Sequence, residues 1–194
     1  MNRAKLFDAL KALDLKKGLT PEILGGLIFQ LWRGSDRTIA LVGRSLADDG
    51  LQRCMIRRMN HLEPKEIKAL FSGFGPLSTF SAKIMTAYAT NIIDKEIRDD
   101  LDVLREIRNA FAHNYGHISL DTKEIIDICN LFNAPRHGKE ALNEIRDIKK
   151  DKEICIISFA MCYLSCTKGD NIATYKSSYD FVLWADKIIA LNTA

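Results

Sequence analysis

The sequence predicts an all-α protein, a single multi-helix bundle, and three observations carry the prediction. Apolar residues recur at helical spacing in nearly every segment. Caps and breaks divide the chain into helix-sized pieces. No stretch alternates over the length of a strand; "HISL" (117–120) alternates but is too short. With 194 residues and 47% hydrophobic content, one domain over 1–194 can bury a full core. Residues 34–132 form its best-defined part, and 133–194 add C-terminal helices.

The elements follow in order. Leu6, Ala9, Leu10 and Leu13 make an amphipathic first helix that Gly18 stops. Thr20 and Pro21 are a cap and first-turn pair for a helix reaching about Arg33. "GSD" (34–36) opens a longer helix with Ile39, Val42, Leu46, Met55 and Met59 as its buried side; Gly43 and Gly50 weaken its continuity. Pro64 starts a short helix carrying Ile67, Leu70 and Phe71. "SGFGPLS" (72–78) is the strongest break, with Ser78 as the next N-cap. Phe80, Ile84, Ala87, Tyr88 and Ile92 then form a stripe. Asp94 caps a helix carrying Leu101, Leu104, Ile107, Arg108 and Phe111, which Gly116 should end. Asp121 or Thr122 caps "KEIIDICNLF", and "NAPRHG" (133–138) reads as a loop. Two or three further helices occupy 139–192, including an apolar one at "ICIISFAMCYLSC" (154–166), too short to span a bilayer.

Composition limits function. The formal charge is +3, from 28 basic and 25 acidic residues, too mild to demand a polyanionic partner. The start, "MNRAKLFDALKALDLKKG", lacks the continuous apolar core of a secretion signal. Five cysteines without a CxxC pair fit reduced thiols, so a cytoplasmic location and no membrane association are expected.

"LREIRNAFAHNYGH" (104–117) concentrates the chemistry. An imidazole can move a proton near neutral pH, and a guanidinium can hold a phosphate or its developing charge. Arg108 and His113 thus supply parts for cleaving RNA without a metal, with the 2′-hydroxyl as nucleophile. On a straight helix they lie about 140° apart. They can converge only if the helix ends near Asn114 or two copies meet across a dimer axis. Asn109 and His113 share a face. The opposing reading is structural: Arg108 pairs with Asp102 or Glu106, and His113 sits at the helix C-terminus on free carbonyls.

"RNAFAHNY" resembles the Arg-x4-His motif of HEPN-domain proteins, in the variant with Tyr two residues after His. The resemblance covers about thirty residues around the motif. It implies a helical bundle, often dimeric, and in many members a metal-independent endoribonuclease acting on RNA. Arg108 and His113 would be catalytic, with Asn109 orienting them. Tyr115 would match the position that a nucleotidyltransferase antitoxin modifies in one toxin group. A second resemblance covers more chain. "GSDRTIALVGRSLADDGLQRCM", "GFGPLSTFSAKIMTAYATNII" and "LREIRNAFAHN" look like three successive blocks of the MltR family, named for the mannitol operon repressor. It implies an all-helical bacterial protein of transcriptional regulation. The longer match ranks a regulator first and a ribonuclease, as a toxin or phage-defence effector, second.

Other motifs carry less. Arg53, Arg57 and Arg58 near His61 read as a solvated basic face. Without a helix-turn-helix, zinc finger or basic zipper, regulation is expected through a protein or ligand partner rather than direct DNA binding. His113 and His117 are spaced i, i+4 but separated by Gly116, so no metal site is expected, and no cofactor. Cys162 and Cys166 read as buried thiols. "SGFGPLS" lacks the ending of a phosphate loop, and Lys83 comes a turn late. Trp32 and Trp184 read as core or interface anchors, and a homodimer is expected.

Overall fold

The computed structural model describes residues 21–114 and 116–134, with six further positions between 158 and 166. Six helices are described in full: α1 (Pro21–Arg33), α2 (Asp36–Arg58), α3 (Pro64–Phe71), α4 (Phe80–Ala89), α5 (Lys95–His113) and α6 (Lys123–Cys129). The expected all-α bundle is what the described residues form; an isolated bridge residue, Ile93, is their only β-type feature. The first-helix stripe of Leu6, Ala9, Leu10 and Leu13 lies outside the described residues. So do Tyr115, Trp184 and the side chain of Trp32.

Helix α5 is the axis of the bundle and packs chiefly on α2 and α4. Ile97, Leu101, Leu104, Ile107 and Phe111 recur every three or four residues and are all fully buried. Each such side chain contributes roughly 1.5–3 kcal/mol by burial. Asp94 starts the helix as read from sequence, its carboxylate accepting from the Ile97 N–H at 2.8 Å. The helix ends at His113 with Asn114 as its C-cap, two residues before Gly116.

Helix α2 runs unbroken through both glycines. Its buried face is Ile39, Ala40, Gly43, Ala47, Gly50, Leu51, Cys54 and Met55. Small residues form the seam, and Val42, expected inside, is exposed. At Gly50 a Cβ would sit 2.9 Å from Tyr163 Cδ2 and 3.1 Å from its Cα. The glycine therefore permits a close crossing by the 158–166 segment rather than breaking the helix. The six described positions of that segment are helical and buried, Cys162 and Cys166 included.

Two further expectations change. Thr79, not Ser78, caps α4, accepting from the Ala82 N–H at 3.2 Å. Tyr88 is exposed, because Phe80, Lys83, Ile84 and Ala87 occupy the inward face and Tyr88 lies one step beyond; Arg98 stacks on its ring at 4.8 Å. In the turn before α4, Gly73 has φ +62°, and a Cβ on Gly75 would sit 2.2 Å from the Ala69 carbonyl oxygen. Phe74, between them, is fully exposed while Leu77 tucks into the core.

Thr122 precedes α6, and the chain returns to α5 at Asn133. Asp100, fully buried on α5, accepts from the Asn133 and Ala134 N–H groups at 2.8 Å each and from Asn133 Nδ2 at 2.9 Å. Ala134 is already helical, so the loop expected over 133–138 does not extend across it.

Candidate functional site

The Arg-x4-His motif occupies the last two turns of α5, which ends at Asn114 as the first condition for convergence required, but Arg108 and His113 both still lie on its continuous helical turns. Arg108 and His113 therefore keep the divergence of a regular helix, about 140° around its axis. Arg108 is half-buried, while His113 is exposed at the helix end.

Arg37 holds that end. From the first turn of α2 its guanidinium donates to the carbonyls of Phe111 and Asn114, the latter at 2.9 Å. The closing role that the structural reading gave His113 thus belongs to Arg37. His117 is exposed beyond the helix, so the i, i+4 relation to His113 has no helix to act through.

The acidic partners expected for Arg108 are taken by another arginine. Arg105 Nη1 lies 3.1 Å from Asp102, and its Nη2 donates to Glu106 at 2.8 Å. Arg108 has no carboxylate partner among the described residues. Its one described side-chain hydrogen bond runs from Nη1 to Asn109 Oδ1 at 3.4 Å, at the weak end of the range. The structure thus brings Arg108 and Asn109 together, leaves His113 apart, and says nothing of Tyr115.

A second arginine of the bundle is better anchored. Arg44, on α2, lies over the Phe80 ring at 4.4 Å, an arrangement worth about 0.5–2 kcal/mol. Its Nη1 sits 3.2 Å from Asp48 Oδ2, one turn further along α2. Burial lowers the Arg44 pKa, Asp48 opposes this, and the Arg108 charge lowers it further. Arg44 Nε is buried and has no hydrogen-bond partner among the described residues.

Asp48 is shared. Its Oδ1 accepts from Lys83 Nζ at 2.7 Å, and Lys83, only 4% exposed, also donates to Gln52 Oε1 at 2.7 Å. Two cations, Arg44 and Lys83, therefore share one carboxylate between α2 and α4. Lys83 was legible as an anomaly, a lysine between Phe80 and Ile84 on an inward face, which requires a partner. Arg44 gave no such signal beyond its i, i+4 spacing to Asp48.

The other sequence candidates are engaged or inert. Arg53 pairs with Asp49 at 2.6 Å, and Arg57 donates to the Cys166 carbonyl, so much of the expected basic face serves internal contacts. Cys54, Cys129, Cys162 and Cys166 are buried. Burial raises the pKa of the Cys54 thiol and pushes that of Cys166 far upward, which disfavours their reactive thiolates at neutral pH. Among the described residues no cluster of three or more His, Cys, Asp or Glu could hold a metal, and no helix is long and apolar enough to cross a membrane. An open groove of about 190 Å³ runs between α4 and α5, but its Arg105 and Arg98 are paired with neighbouring carboxylates.

Comparison with protein-family models, curated proteins and solved structures returns no match.

Proposed function

We propose that this chain is a regulatory protein of the MltR type, acting through a bound ligand or a protein partner rather than as a self-contained ribonuclease. One observation carries the choice: Arg108 and His113 diverge on an unbroken helix whose end Arg37 clasps. A general acid–base pair must reach one substrate within hydrogen-bond distance, and a single chain with this helix does not offer that arrangement. What Arg108 does offer is a half-buried cation with no carboxylate partner among the described residues, a feature of a binding site. The resemblance in three ordered blocks supports the same reading. A homodimer in the cytoplasm belongs to it, with transcription affected through the partner rather than a DNA-reading helix.

A second reading is favoured by a specific observation. Arg108 has no carboxylate partner among the described residues, and His113 is exposed with its capping role taken by Arg37. Both are what a metal-independent endoribonuclease of the HEPN type needs, if Arg108, Asn109 and His113 from two protomers meet across a dimer axis. RNA is then the substrate, and a nucleotidyltransferase antitoxin acting on Tyr115 is the natural partner.

Transcript ends separate the two. Cells carrying the wild-type, deleted or His113→Ala gene are compared by sequencing of RNA 5′ ends. A regulator changes the abundance of a confined set of transcripts and creates no internal 5′-hydroxyl ends. Cleavage through the 2′-hydroxyl leaves such ends, and their loss in His113→Ala would overturn the regulatory reading.

A further inference from the structure

We propose that the face made by α4 and the adjoining side of α5 docks a second copy of this chain, antiparallel and related by a two-fold axis. The proposal deepens the regulatory reading, to which a homodimer belongs. Its centre is the groove of about 190 Å³ between the two helices. On the α4 side the groove is lined by Ser81, Met85 and Tyr88, whose spacing of four and three residues puts them on one helical stripe. Met85 is 68% exposed and Tyr88 41%, while Phe80 and Ile84 of the same helix are buried. Both exposed types suit an interface, since a thioether adapts its shape and a phenol joins apolar area to a polar tip. Arg98 stacks on the Tyr88 ring at 4.8 Å and holds it in place, which lowers the cost of ordering it on association.

Charge order identifies the occupant. The α5 side of the groove carries Arg98, Asp102 and Arg105, and Asn109 continues their stripe by one turn. The spacings, four, three and four residues, read the same from either end. A two-fold axis level with the link between Val103 and Leu104 therefore lays the stripe on its own reverse. Asp102 then meets Arg105 of the second copy, and Arg98 meets Asn109, each pairing occurring twice and none opposing like charges. A stripe of one sign would call for a partner of the other sign, whereas this one is complementary to itself. The pairs within the chain leave room for it. Arg105 reaches Asp102 through Oδ1 at 3.1 Å, no described bond occupies Oδ2, and half-exposed pairs of this kind hold weakly. In this register Arg108 lies about 14 residues' rise, roughly 21 Å along the helices, from His113 of the second copy. The dimer thus does not assemble an acid–base pair from the Arg-x4-His motif.

Sedimentation equilibrium of the full chain from about 1 to 100 μM tests the surface, and a dimer is expected within that range. Met85→Glu, at an exposed position, should weaken the dimer by about tenfold or more. Leu131→Ser, at an exposed apolar residue beyond α6, should leave it unchanged. Asp102→Arg sets two arginines against each other across the axis, and Arg105→Asp sets two aspartates. Each variant alone should be monomeric where the wild type is dimeric. Mixed in equal amounts they should form a heterodimer, because each supplies the charge that the other lacks. Repair within one chain cannot produce that rescue, since each chain keeps its altered pair. Circular dichroism checks that the variants are folded, and where a charge variant loses helix Met85→Glu decides alone. A monomer at about 100 μM, a dimer indifferent to Met85→Glu, or folded charge variants that do not pair would each overturn the surface. The first outcome would give the groove to another part of this chain or to a different protein. It would leave the transcript comparison intact, and internal 5′-hydroxyl ends there would leave the sedimentation result standing.

Discussion

Asp100 and Arg108 stand about two turns apart on one helix and have opposite fates. Asp100 is fully buried and takes three donors from Asn133 and Ala134. Arg108 is half-buried, has no carboxylate partner among the described residues, and holds one weak hydrogen bond. Burying an ionised group is tolerable only when its hydrogen-bonding capacity is met. The first residue meets that condition within the chain and is architecture. The second leaves it open, because no carboxylate among the described residues meets its charge.

The sharpest way to break this comparison is to remove Asp100. Asp100→Ala strands one buried and one half-buried backbone donor and an amide, and should cost about 3–5 kcal/mol in urea denaturation. A loss under about 1 kcal/mol would mean that the carboxylate is not the clasp described here. Gly50→Val tests packing without charge. Its Cβ would collide with Tyr163, and a loss of about 1–3 kcal/mol is expected from a denaturation midpoint. Lys83→Met removes one of the two cations on Asp48 while Arg44 stays, so about 1–2 kcal/mol should be lost. Arg108→Gln sharpens the contrast from the other end, since stability should move by no more than about 0.5 kcal/mol or rise. A loss comparable to that of Asp100→Ala would make Arg108 a structural residue.

How much of this the sequence carried depends on distance along the chain. Ser35, Pro64 and Asp94 act within three or four residues of themselves, and the starts they mark are where they were expected. The 101–111 stripe is likewise local, set by helical spacing. Val42 misled because size is a poor guide when a seam is built from Ala40, Gly43, Ala47 and Gly50. Tyr88 misled because one residue turns a helix by about 100°, enough to carry a ring from the edge of a stripe into solvent. At the site, Arg108 was found by its motif, but its surroundings were not. Asp102 and Glu106 were sensible partners on local grounds, and only packing shows that Arg105 claims both. Arg44 lies 64 positions from Arg108, and Asp100 takes donors more than thirty residues away. Such relations are tertiary, and no local rule reaches them.

The reach of Arg37 has a consequence for signalling. Its two bonds span more than seventy residues and join the entry of α2 to the exit of α5. Arg44 lies two turns further along α2 and Arg108 one turn before the clasp on α5. A load applied to the body of either helix would therefore be carried across this clasp to the α5 exit at Asn114, beside exposed His113.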